Sequence, residues 1–106
     1  MSSPNRRLII AANARKDIRG ILLYTAQEWG SHQRNRYKSE IDATLNLIQD
    51  YPFIGAKRSD LGAEIRARPV SEQSQHVLFY LVEPRVIRIL RVMHVKMDAT
   101  RELQAE

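Results

Sequence analysis

The chain has 106 residues, enough for one modest core, with an apolar fraction of 43% and a charged fraction of 27% that suit an ordinary globular protein. It contains no cysteine, which excludes disulfides, a thiol nucleophile and thiolate metal sites and fits a reducing cytosol. The 17 basic and 12 acidic residues leave a net charge of +5, and 13 of the basic side chains are arginine, whose fork suits carboxylates and phosphates. A mildly basic soluble surface accounts for the same balance.

Residues 1–106 read as a single domain. No stretch approaches the roughly 18 apolar residues that span a bilayer. Leu8–Ala12 is also too short for a signal peptide's apolar region, so a cytoplasmic protein without a membrane partner is expected.

Arg7–Ala12, short and rich in β-branched residues, predicts a first strand. Asn13 is placed to cap a helix whose face carries Ile18, Ile21, Leu22, Thr25 and Trp29 at helical spacing. Gly30 suits a left-handed stop to that helix, and Ser31 is placed to cap a second one striped by Tyr37, Ile41, Leu45 and Ile48. The two helices should form an antiparallel hairpin with facing stripes, in which Trp29 and Tyr37 read first as packing residues.

Tyr51-Pro52 ends the second helix, and Phe53–Gly62 reads as an exposed connector. Ile65–Pro69 alternates apolar residues with Arg66 and Arg68, which predicts a strand with both arginines on its solvent face. After the polar turn Ser71–Gln75, His76–Val82 reads as the central strand. Glu83-Pro84-Arg85 turns the chain into a returning strand, Val86–Met93. Met97–Leu103 predicts a short closing helix, and Ala105 and Glu106 a frayed end. The fold class expected is α+β: β-α-α-β-β-β, an antiparallel sheet packed against an N-terminal helical hairpin.

The ordered set Asp17-Ile18-Arg19-Gly20-Ile21, Tyr24, Glu28-Trp29-Gly30, Gln33 and Tyr37 resembles the helical hairpin of ParE toxins, in the ParE/RelE toxin–antitoxin superfamily. Pro52, Gly55, Ile65–Arg68 and His76–Tyr80 follow in the family's order. The ending His94-Val95-Lys96-Met97-Asp98 is similar to its His-x-Arg-Met-Asp close, with lysine in place of arginine. The resemblance runs from about Leu8 to Leu103. It implies a toxin that acts on DNA gyrase, trapping the cleaved-DNA complex, and is neutralised by a cognate ParD-like antitoxin. Neither a cofactor nor sequence-specific nucleic-acid binding is expected. An antitoxin surface at Trp29, Tyr37, Arg66, Arg68 and Arg88 is implied.

RelE, the sister branch, cuts messenger RNA on the ribosome. That chemistry needs a base for the ribose 2′-OH, an acid for the leaving oxygen and cations for the phosphate. Arg66, Arg68, Arg91 and His94 are the residues that would carry this alternative. His94 is the best placed of the three histidines to titrate, while His32 reads as exposed and His76 as structural. The tail after His94 has no tyrosine or second histidine, which argues for a binding protein without catalytic residues. The histidines show no metal-ligand spacing, so no metal is expected.

Overall fold

The computed structural model describes residues 5–62 and 64–104. Its elements follow the expected order with additions in the connector: β1 (Arg7–Ile10), α1 (Ala12–Trp29), α2 (Ser31–Asp50), β2 (Ala56–Lys57), a single 3₁₀ turn (Ser59–Leu61), β3 (Arg66–Pro69), β4 (His76–Val82), β5 (Val86–His94) and α3 (Ala99–Gln104). The sheet order is β1-β5-β4-β3-β2. Ala105 and Glu106, expected to fray, lie outside the described residues.

The sheet is antiparallel except at its edge, where β1 runs parallel to β5. Apolar alternation carries no strand direction; the helical hairpin supplies it. The end of α2 lies where β1 began, with Gln49 Nε2 donating to the Arg6 carbonyl at 2.9 Å. From that end β3, β4 and β5 alternate, so β5 returns in the direction of β1.

The apolar stripes meet as their spacing requires. Ala14 and Leu22 of α1 and Ile41, Leu45 and Ile48 of α2 pack on Leu78, Tyr80, Ile87, Ile89 and Val92 of the sheet. Burying a side chain of this size contributes about 1.5–3 kcal/mol, so the cluster dominates the fold. Trp29 departs from the expectation: it is 71% exposed. An 18-residue helix is about 27 Å long, and its last turn lies beside an open groove instead of the core.

Gly30 joins the helices without an intervening loop and has φ +91° and ψ 169°. The positive φ agrees with the expected stop, but the conformation is extended, in a region essentially confined to glycine. Neither helix has a side-chain cap. Ala11, still bonded to the Ile89 carbonyl at 2.9 Å, flanks α1, so Asn13 already lies inside the helix. Gly30 itself takes the capping position before α2, which makes Ser31 helical.

The connector Phe53–Gly62 is largely exposed, as expected, but it is anchored at its start. Pro52 and Gly55 are buried, and Tyr80 donates its hydroxyl to the Pro52 carbonyl at 2.8 Å while accepting the Gly55 N–H at 2.9 Å. A Cβ at position 55 would stand 2.5 Å from the Tyr80 oxygen. Close approach, not loop freedom, requires that glycine. On the other face of the sheet Ala67, Phe79 and Met93 form a second cluster, covered by residues that include Leu61, Ala99 and Leu103.

One irregularity matters for the site. Tyr80 pairs with Ile89 but Phe79 pairs with Arg91, so β5 carries one extra residue opposite that step. The shift sets His76 opposite His94. Among the described residues, no helix is long and apolar enough to cross a membrane.

Candidate partner-binding groove

A groove of about 880 Å³ opens between α1, the start of α2 and the sheet end that carries His76 and His94. Tyr24, Trp29, Tyr37 and Ile21 supply its apolar lining, and Gln33, Gln73 and Gln75 supply uncharged polar groups. Tyr24 is 61% exposed, so two large aromatic side chains of α1 stand in solvent beside it. Aromatic residues left exposed at a concave surface are typical anchors for a partner.

At the end of the groove, Tyr37 Oη lies 2.8 Å from His76 Nδ1 and is also hydrogen-bonded to Ser74 Oγ. The His76 and His94 rings meet edge to face, 5.5 Å between centroids. The Lys96 N–H donates to His94 Nδ1 at 3.0 Å, which leaves the proton of a neutral ring on Nε2 to donate to Gln75 Oε1 at 2.8 Å. Burial pushes the His76 pKa below 6.5, and the neighbouring His94 adds to the effect. Burial raises the Tyr37 phenol above 10, against the lowering hydrogen bond from Ser74. The pair is therefore uncharged at neutral pH on the His76 side, a surface suited to apolar contact.

Asp17 holds this arrangement. Its Oδ2 accepts Arg91 Nε at 2.7 Å and the Val92 N–H at 2.9 Å, and its Oδ1 accepts Arg91 Nη2 at 3.0 Å. Both side chains are about 85% buried, at 15% and 13% exposure. A fork-to-fork pair at this depth fixes α1 against the strand directly after the extra residue. Asp17 thus ties α1 to β5 directly after the register shift that brings His94 opposite His76.

Comparison with known proteins decides the family. Residues 8–99 match the family model described as "ParE toxin of type II toxin-antitoxin system, parDE". This chain belongs to the ParE toxin family. It is 34% identical over 94 residues to Toxin ParE1 of Caulobacter vibrioides, covering 89% of this chain and 94% of that protein. It is 28% identical over 100 residues to Toxin ParE of Escherichia coli, covering 90% of each. A solved structure described as the chromosomal ParDE TA system from P. aeruginosa superposes with a TM-score of 0.74 at 20% identity, over 87% of this chain and 98% of that one. That likeness establishes the shared α+β fold.

Within this ParE-family chain, the residues expected to act together divide. Trp29, Tyr37 and His94 line the same groove. The arginines do not join them. Arg66 and Arg68 pair with Tyr80 and Leu78, which places them on the helix side of the sheet and corrects the expected solvent face. Arg66 Nη1 donates to the carbonyls of Phe53 at 3.1 Å and Gly55 at 2.7 Å. Arg68 lies along α2 in another hollow, with Glu40 and Glu72. Arg88 pairs with Leu81, on the opposite face, and forks onto Glu83 at 3.2 and 3.3 Å. Arg91 is committed to Asp17 and lies 3.8 Å from Glu102.

Sequence reasoning misses His76 as the partner of His94. Counting back from the Glu83–Arg85 turn without an extra residue pairs His76 with Met93, and no residue pattern in β5 announces the shift. The tail holds no second titratable ring to set beside His94; β4 supplies it from across the sheet. Asp17 is legible only as part of the family's residue order.

Proposed function

We propose that this ParE-family toxin acts in the cytoplasm by inhibiting DNA gyrase, trapping its cleaved-DNA complex, and is silenced when a ParD-like antitoxin fills the groove beside α1. Family membership supports the gyrase target. The groove carries the antitoxin half: Trp29 and Tyr24 stand exposed over an apolar lining that ends in the uncharged Tyr37–His76 contact. An amphipathic antitoxin segment would bury these aromatics. Of the five residues expected to meet the antitoxin, Trp29 and Tyr37 carry this proposal. Arg66, Arg68 and Arg88 lie away from the groove and are assigned at most to a separate contact.

The test is a supercoiling assay with purified gyrase. The expected result is loss of supercoiling with accumulation of cleaved DNA, reversed by the antitoxin but not when Trp29→Ala is used. Undisturbed supercoiling would sink the gyrase target, and normal neutralisation of the Trp29 variant would sink the groove assignment.

One observation favours a second reading. Tyr37, His76 and His94 form a contiguous cluster of groups that could serve as acid and base in RNA cleavage, although none of the arginines joins it to supply the cations. A RelE-like endoribonuclease would stop translation and cut messages on induction, and His94→Ala would abolish the cutting. Transcripts left intact after induction would exclude it.

A further inference from the structure

The opposite end of the sheet carries a different chemistry. Arg6 and Arg66 both place a guanidinium on the Phe53 ring, 5.6 and 5.1 Å from its centroid. Phe53 is itself 60% exposed. What orients these two arginines is neutral. Arg6 Nε donates to the Glu83 carbonyl at 2.9 Å, and Arg66 Nη1 donates to the carbonyls of Phe53 and Gly55.

The contrast with other arginines of the chain is informative. Arg58, Arg88 and Arg91 are each forked onto a carboxylate, of Asp60, Glu83 and Asp17 respectively. A carboxylate cancels the charge that it positions. A backbone carbonyl fixes the side chain, leaves the charge in place and uses only part of the five N–H donors. Arg6 and Arg66 are therefore preorganised cations with donors to spare.

Two more exposed charges lie at the same end of the sheet, outside the stack itself. The Arg7 N–H donates to the Arg85 carbonyl at 3.0 Å, and both of these arginines are exposed. Glu83, whose carbonyl holds Arg6, has its carboxylate already paired with Arg88. The arginines at this end come from the N-terminal segment, β3 and the β4–β5 turn. Charges spread around an end of the fold match a repeating phosphate backbone better than a single carboxylate in a cleft.

We infer that the Arg6–Phe53–Arg66 stack, extended by Arg7 and Arg85, is a binding site for the backbone phosphates of duplex DNA. The site is independent of the aromatic groove. Contacts to phosphate alone carry no base readout, so the binding is indifferent to sequence. Under the gyrase reading it would give the toxin its own hold on the nucleic acid, but the site rests on the stack alone and stands whether or not gyrase is the target.

The test uses the full chain without gyrase or antitoxin, and a fluorescent 20-base-pair duplex titrated by anisotropy at several salt concentrations. The expected result is salt-dependent binding that weakens at least tenfold in the Arg6→Gln/Arg7→Gln/Arg85→Gln variant. The slope of log affinity against log salt should fall by about 0.9 for each phosphate that the variant no longer neutralises. Lys16→Gln/Arg19→Gln, which removes two exposed charges from α1, should change the affinity less than twofold. Thermal melts confirm that both variants are folded. Equal weakening by the two variants would reduce the binding to net charge and overturn the site. So would absent duplex binding together with binding of polyglutamate, which would assign the end to an acidic protein segment.

Discussion

At one end of the β4–β5 hairpin, His76 and His94 meet edge to face beside Tyr37. At the other, Arg6 and Arg66 share the ring of Phe53 and keep their charge. Each end is also built around a tyrosine hydroxyl with two partners, and the two tyrosines differ in burial. Tyr80 is fully buried and ties Pro52 and Gly55 to the sheet. Tyr37 is half-buried and ties α2 to the Ser74 turn and to His76. Buried, the hydroxyl serves the fold; at the rim of a groove, it is open to a partner.

The largest effect that tests this contrast is at Gly55. Gly55→Val would drive a branched side chain into the Tyr80 hydroxyl, and a loss of about 3 kcal/mol in urea unfolding is expected. A variant as stable as the parent would show that the connector moves freely. Tyr80→Phe leaves the buried Gly55 N–H and Pro52 carbonyl without their shared partner. It should cost about 2 kcal/mol, whereas Tyr37→Phe, at a half-exposed site, should cost about 1 kcal/mol. Reversal of that order in parallel denaturation curves would break the comparison.

Acidity offers a gentler probe. The folded His76 imidazole takes up a proton less readily than it does in the unfolded chain, so the unfolded state binds more protons between the two pKa values. Its contribution to stability is complete above pH 6.5 and is lost as pH falls through the lowered folded value. Asp17, Glu40, Glu102, Lys16, Arg91 and Lys96 surround the cluster, and His94 is the group in direct contact. The fall in urea midpoint below pH 6.5 should flatten in His76→Gln; an unchanged profile would remove His76 from the account. The smallest expected effect on stability is that of Trp29→Ala, within about 0.5 kcal/mol, because the indole is already in solvent. A loss of antitoxin binding in that stable variant would mark Trp29 as a contact residue and not a structural one.

Much of the architecture is legible in the sequence because burial imposes a period. The stripes of α1 and α2, the bounds of β4 and the positive φ of Gly30 all follow from spacing and side-chain type. The exposed connector is legible, but the burial of Pro52 and Gly55 at its start is not, because a glycine and a proline look alike in a loop and in a packed turn. Arg66 and Arg68 read as solvent-facing because alternation separates two faces without naming which one the helices cover.

By itself, the sequence determined the helical hairpin, the strands other than β2 and the family, since each depends on local pattern and residue order. Only the tertiary structure decided which residues meet. A single extra residue in β5, just before the Arg91 and Val92 that Asp17 grips from α1, turns His94 toward His76 instead of past it. No local preference encodes that shift. Likewise, whether an arginine keeps its charge depends on what lies opposite it after folding: a carboxylate for Arg91, a carbonyl for Arg6. Pairing across the sheet is a property of distance in space, and distance in space is absent from the chain until it folds.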